Sequence, residues 1–99
     1  MSSTFVLVTD PIALARQLVA IPSVTGQEGD VARFLGSHLE ALGWRVELQE
    51  AAPGRPNVIA TTGAPPRVVL STHLDTVPPH LAPREDDAAL HGRGACDAK

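Results

Sequence analysis

The sequence predicts an α/β fold, two helices followed by a mixed β-sheet. Three observations carry that prediction. Apolar residues recur at helical spacing from 12 to 21 and again from 31 to 42. From 44 to 49 the period falls to two, with Trp44, Val46 and Leu48 alternating with Arg45, Glu47 and Gln49. Further on, Val68-Val69-Leu70 is an unbroken apolar run, the pattern of a strand covered on both faces.

The first helix has start and stop signals. Asp10 suits the N-cap and Pro11 the first helical position, where a missing N–H costs nothing. Ile12, Ala15, Leu18 and Val19 form its apolar stripe, with Leu14 and Ile21 on the flank. Pro22 ends it, because the residue before a proline avoids the α region. Ser23 to Gly26 reads as a loop. Thr25 and Glu28 have the spacing of a capping box for the second helix. Val31, Phe34, Leu35, Leu39 and Leu42 give that helix one apolar face, and Gly43 is placed to close it with positive φ.

The rest reads as strands and turns. Trp44 opens the first strand and is expected to anchor it in the core. Pro53-Gly54 is a turn, and Asn57 to Thr61 a second strand, near enough to pair antiparallel with the first. After the Gly63–Pro66 turn, Arg67 to Thr72 is the expected central strand. Pro78, Pro79 and Pro83 then prevent regular pairing. Asp86 to Arg93 is expected to form a short hairpin with Leu90 as its apolar contact. Residues 1–99 read as one domain, with no repeat and no linker.

Composition narrows the functional classes. The 99 residues carry a net charge of −3, so there is no basic footprint for nucleic acid. The one apolar run near the start, Phe5–Val8, is too short for a membrane span and lacks the flanks of a signal peptide. A single cysteine leaves no internal disulfide framework and suits a reducing compartment. The expectation is a cytoplasmic protein that binds neither membrane nor nucleic acid.

The chemistry concentrates in two motifs. His73 follows the apolar run and would leave the carboxyl end of a central strand, where open α/β sheets bind ligands. Alone, such a histidine is more often a satisfied polar residue than a ligand. Asp75, two residues on, shares its face of an extended segment and can bond the non-ligating ring nitrogen. Asp97 lies in a glycine-rich turn, and its carboxylate has the two oxygens needed to bridge a pair of cations. Alone, it reads as a surface aspartate. Elsewhere, His38 reads as a boundary residue, His80 as solvent-exposed and His91 as a turn residue.

Taken together, His73-Leu74-Asp75-Thr76-Val77-Pro78 and Gly92-Arg93-Gly94-Ala95-Cys96-Asp97-Ala98-Lys99 resemble the M20 metallopeptidase family. Ile21 to Glu28 looks like its opening loop, and Arg55-Pro56-Asn57-Val58 like its second-strand entry. The form of the second motif is nearest the acetylornithine deacetylase and desuccinylase branch. The resemblance implies the N-terminal part of a zinc-hydrolase catalytic domain. It implies two Zn2+ ions per complete site, with Co2+ or Mn2+ as substitutes. His73 would bind one metal, Asp97 would bridge both, and Asp75 would be the catalytic aspartate that orients His73. The implied reaction is attack of a metal-bridging water on an amide, in a small N-acyl amino acid or peptide substrate.

The family's general-base glutamate, remaining ligands and lid or dimerisation domain match nothing here. The chain therefore reads as the N-terminal piece of a longer hydrolase, inactive by itself and active with the missing C-terminal portion, as a homodimer. A non-catalytic, partner-binding module is the other reading. The resemblance also implies a cis peptide bond between Asp97 and Ala98.

Overall fold

The structure is a computed structural model, and it describes residues 10–97. Phe5–Val8, the Asp97–Ala98 peptide bond and Lys99 lie outside the described residues. The elements run α1 (Pro11–Ala20), α2 (Gly29–Ala41), β1 (Arg45–Ala52), β2 (Arg55–Thr61), β3 (Arg84–Glu85) and β4 (Leu90–His91). The architecture is α/β, with two helices and two small antiparallel sheets, β1–β2 and β3–β4. No helix among the described residues is long and apolar enough to cross a membrane.

Local chemistry sets both ends of α1. Asp10 Oδ1 accepts the Ile12 N–H at 2.9 Å, and Pro11 occupies the first turn. The helix stops at Ala20, with the Ile21 N–H closing back on the Leu18 carbonyl at 3.2 Å. Its buried stripe is confined to the C-terminal half. Leu18 and Val19 are buried, whereas Ile12 is 61% exposed.

The start of α2 departs from the expected capping box. Glu28 sits at the N-cap without capping the helix, because its carboxylate is engaged elsewhere. Oε2 accepts the Gly26 N–H at 2.8 Å and Oε1 accepts Arg55 Nε at 2.7 Å. A charge-assisted bond outweighs a neutral backbone cap. The other end closes as predicted. Gly43 has φ +95°. Its N–H reaches the Glu40 carbonyl at 2.9 Å, and the Trp44 N–H reaches Leu39 at 3.0 Å, the paired bonds of a Schellman stop.

Two core expectations are overturned. His38 is fully buried rather than at a boundary, its ring stacked on Phe34 one turn earlier at 6.2 Å between centroids. Trp44 is 40% exposed and precedes β1, so it anchors no core. The reason is the contact that α2 makes instead. At Gly36 an added Cβ would lie 3.2 Å from Leu48 and 3.5 Å from Val46, so helix and hairpin meet there, beyond the tryptophan.

The β1–β2 hairpin pairs Arg45 with Thr61 and Leu48 with Val58, with a register shift between Glu50 and Ala52. Gly54, at φ +73°, makes the turn. The expected central strand is not formed. Residues 67–72 lie in no strand, and Val68, Val69 and Leu70 are 75%, 81% and 91% exposed. Such a run is stable as a strand only between neighbours that cover it, and no described element does. The mixed sheet is therefore absent among the described residues. Its one parallel trace is a bridge between Val24 and Thr76.

The last hairpin forms, but two residues earlier than expected, with strands at Arg84–Glu85 and Leu90–His91, because Asp86 makes the turn rather than opening a strand. Asp86 Oδ1 accepts the N–H groups of Ala88 and Ala89 at 2.9 and 2.8 Å, an Asx-type turn. A two-pronged ion pair ties the hairpin to α1. Arg16 Nε and Nη2 donate to the two Glu85 oxygens at 2.7 and 2.8 Å.

Gly92 follows this hairpin with φ +152°, and a Cβ there would fall 2.5 Å from Val19 Cγ1. The second motif thus docks on α1 through a residue without a side chain. Gly92→Ala is expected to cost about 1–3 kcal/mol, the usual range for forcing atoms into a packed contact. Gly54→Ala also sits at positive φ but meets nothing within 4 Å. It should cost only the ~1–2 kcal/mol of the left-handed backbone, a strain that Gly92→Ala bears in addition to its packing cost. Urea unfolding of the two variants checks the order, and equal losses would contradict the docking role.

Candidate metal centre

The strand-like segment that carries His73 is held by the loop after α1. Thr76 N–H donates to Ser23 O at 2.9 Å, and Thr25 N–H donates to Thr76 O at 3.0 Å. The Ser23 hydroxyl, fully buried, donates to the Leu74 carbonyl at 2.8 Å. Three bonds thus lock residues 74–76 against residues 23–25, and His73 enters the site from that clamp.

His73 Nδ1 lies 3.1 Å from both the carbonyl oxygen and Oδ1 of Asp75. Both oxygens can only accept, so Nδ1 carries the proton and donates. In the neutral ring the lone pair is then on Nε2. Nε2 faces Asp97 Oδ1 at 3.3 Å. The structure therefore brings together the three residues that the two motifs supply, and it does so across a chain reversal. The expected hydrogen bond between Asp75 and His73 is present.

The electrostatics follow from this geometry. The Asp75 carbonyl bond, then its carboxylate and that of Asp97, hold the His73 imidazole above its ordinary pKa against partial desolvation. Asp75 is held below the usual carboxylate range, first by the Thr25 hydroxyl, which donates to Oδ2 at 2.7 Å, and then by His73. A lone pair on Nε2 and a carboxylate oxygen 3.3 Å apart repel unless positive charge lies between them. A proton on the imidazole meets that need, and so does a cation.

The donor set fits zinc. Two ligands at ~2.0–2.1 Å from one tetrahedral ion stand about 3.3 Å apart, and imidazole with carboxylate is a usual pair. It is part of a site rather than a whole one. Among the described residues, no group of three or more His, Cys, Asp or Glu side chains is arranged to hold a metal. Beside the pair is a cleft of about 140 Å3, lined by Thr76, Val77, Gly92, Gly94, Cys96 and Asp97 among others.

The remaining candidates lie elsewhere. His91 pairs with Asp86 at 3.0 Å within its hairpin, a turn role as expected. His80 is half-buried rather than solvent-exposed, and its buried Nδ1 has no hydrogen-bond partner among the described residues. Cys96 is exposed next to Asp97. Two contributors were missed in the sequence reading. Thr25 reads in the sequence as a helix cap, and Arg55 as a strand entry, which it also is. The spacing of neither pointed to its real partner, although both belong to segments that stood out as motifs.

No family model matches the chain. Curated relatives do. The chain is 44% identical over 93 residues to a peptidase M20 domain-containing protein of Schizosaccharomyces pombe, covering 89% of this chain and 23% of that protein. It is 41% identical over 88 residues to a LysW-lysine hydrolase of Deinococcus radiodurans, covering 87% and 23%. It is 40% identical over 103 residues to a succinyl-diaminopimelate desuccinylase of a Methylobacterium species, covering 90% and 26%. Likeness at this level along some nine-tenths of its residues means that the chain belongs to the M20 peptidase family. It spans about a quarter of the length of these relatives.

The Glu28–Arg55 pair that steadies the clamp has a pH signature. Arg55, then the Gly26 N–H, hold the Glu28 carboxyl below its ordinary value of 4.5, with burial opposing. A carboxyl lowered in the folded state stabilises the fold above its unfolded pKa and loses that contribution as pH falls through the folded value. Wild-type protein is therefore expected to lose stability below about pH 4.5 more steeply than Glu28→Gln. Urea midpoints from pH 7 to 3 measure the difference, and parallel curves would contradict it.

Proposed function

We propose that this chain contributes one metal ligand pair to an M20-type hydrolase that cleaves an amide bond in a small N-acyl amino acid or peptide. The observation that carries the reading is the 3.3 Å approach of His73 Nε2 to Asp97, with Nδ1 already committed to Asp75. The relatives' names, a peptidase domain protein, a LysW-lysine hydrolase and a desuccinylase, support hydrolysis as the reaction class.

In this reading Asp75 fixes the ring of His73 and its tautomer. The Asp97 carboxylate offers one oxygen beside Nε2 and leaves the other for a second ion. Gly92 and Gly94 let the turn bring that carboxylate in close. Zn2+, bound as a pair with Co2+ or Mn2+ as substitutes, would polarise the scissile carbonyl and lower the pKa of the attacking water. The general-base glutamate and the other ligands would come from residues beyond this chain. The intact enzyme is read as a cytoplasmic homodimer.

The test is zinc content and hydrolysis of N-acyl amino acids by the intact protein. His73→Ala and Asp97→Ala should each lose zinc on dialysis and drop activity by more than about 100-fold, beyond the cost of losing a group that only supports a ligand. His91→Ala should keep both. Undiminished zinc in both ligand variants would overturn the proposal.

A further inference from the structure

We propose that Thr25 is a positioning residue for His73, acting through Asp75. The inference rests on the reading of His73 as a metal ligand.

Asp75 is a half-buried carboxylate at the end of a short side chain, 37% exposed. The torsion that turns its two oxygens is broad and roughly two-fold, so nothing intrinsic holds Oδ1 on the imidazole. The Thr25 hydroxyl supplies that hold. Oγ1 donates to Oδ2 at 2.7 Å while Oδ1 faces His73 Nδ1 at 3.1 Å. With both oxygens engaged, the carboxylate plane is fixed and so is the ring it faces.

Thr25 is itself well anchored. Its N–H donates to the Thr76 carbonyl, and its neighbour Val24 forms the parallel bridge. A β-branched side chain has few rotamers to choose from. On its other side, the Gly26 N–H donates to Glu28, which Arg55 holds. The hydroxyl thus projects from backbone fixed before and after it. Ser23, two residues earlier, lacks this reach, because its hydroxyl is spent on the Leu74 carbonyl. The line runs Thr25, Asp75, His73 Nδ1, and then Nε2 towards Asp97. Every link is a contact of 2.7 to 3.3 Å.

The test uses the intact protein, with Co2+ as the probe. Thr25→Val keeps the shape and the backbone bridge and removes the hydroxyl. It should weaken Co2+ binding about 3- to 10-fold, less than the loss usual for a group that bonds the ligand directly. Thr25→Ser should restore wild-type affinity. In metal-free protein, ring nitrogen shifts of His73 should report a smaller Nδ1–H fraction in Thr25→Val than in wild type, the Asp75 carbonyl alone then holding Nδ1. In an Asp75→Ala background, Thr25→Val should cost nothing further, since the acceptor of its hydroxyl is gone. If the valine variant folds poorly, Thr25→Ala supports the same readouts.

Unchanged affinity and unchanged tautomer would overturn the proposal, as would an additive loss in the Asp75→Ala background. If His73→Ala binds Co2+ as wild type does, the metal reading fails instead. The tautomer measurement, made without metal, then still judges Thr25.

Discussion

The rest of the site depends on the short parallel contact between the loop after α1 and the segment after His73. Two backbone bonds flank Thr76, one from each side, and the buried Ser23 hydroxyl adds a third at Leu74. Pro22 stops the helix and frees the next residues to extend. Those residues then serve as the strand neighbour that His73-Leu74-Asp75 would otherwise lack. Backbone bonds matter here because buried polar groups must be paired somewhere. Ser23 and Thr76 are among the few buried polar residues described. Their pairing converts a helix end into the scaffold of a polar site.

A second constraint works from the opposite side. The turn carrying Asp97 reaches His73 only because β3–β4 and Gly92 press against α1. The Arg16–Glu85 pair is half-exposed and contributes orientation more than energy. The close approach of Gly92 to Val19 is the tighter restraint, since steric overlap has no solvent-screened alternative. Both halves of the candidate centre are therefore referred to the same helix. Its C-terminal loop holds His73, and its buried face holds the turn before Asp97.

This shared dependence explains what the sequence made legible. Helix limits followed from Asp10, Pro11, Pro22 and Gly43, whose backbone preferences are local. The β1–β2 hairpin followed from alternation and Pro53-Gly54, again local. His73, Asp75 and Asp97 stood out through the resemblance of their two motifs to the M20 family, since each alone reads as an ordinary polar residue. What failed needed partners that a linear reading does not supply. Val68–Leu70 has the composition of a covered strand, but composition does not provide the cover. Glu28 has capping-box spacing, yet Arg55, distant in sequence, offers its carboxylate a stronger bond. His38 looked like a boundary residue because its polarity was weighed without the ring of Phe34 beside it.

The electrostatic logic of the centre then follows without further assumptions. Asp75 accepts the Nδ1–H hydrogen bond, which leaves the lone pair of the neutral ring on the other nitrogen. Asp97 places a second acceptor opposite it at 3.3 Å. Without a positive charge between them, this pairing raises the energy of the folded arrangement. Folding brings the two together anyway, because the restraints that position them act on Gly92 and Thr76 rather than on the charged atoms themselves. In the proposed metal reading, such a geometry would bind a cation with the cost already met by the fold. The same separation of duties explains why Thr25 bonds Asp75 rather than His73. A donor placed directly on Nε2 would satisfy the ring and remove its reason to bind anything.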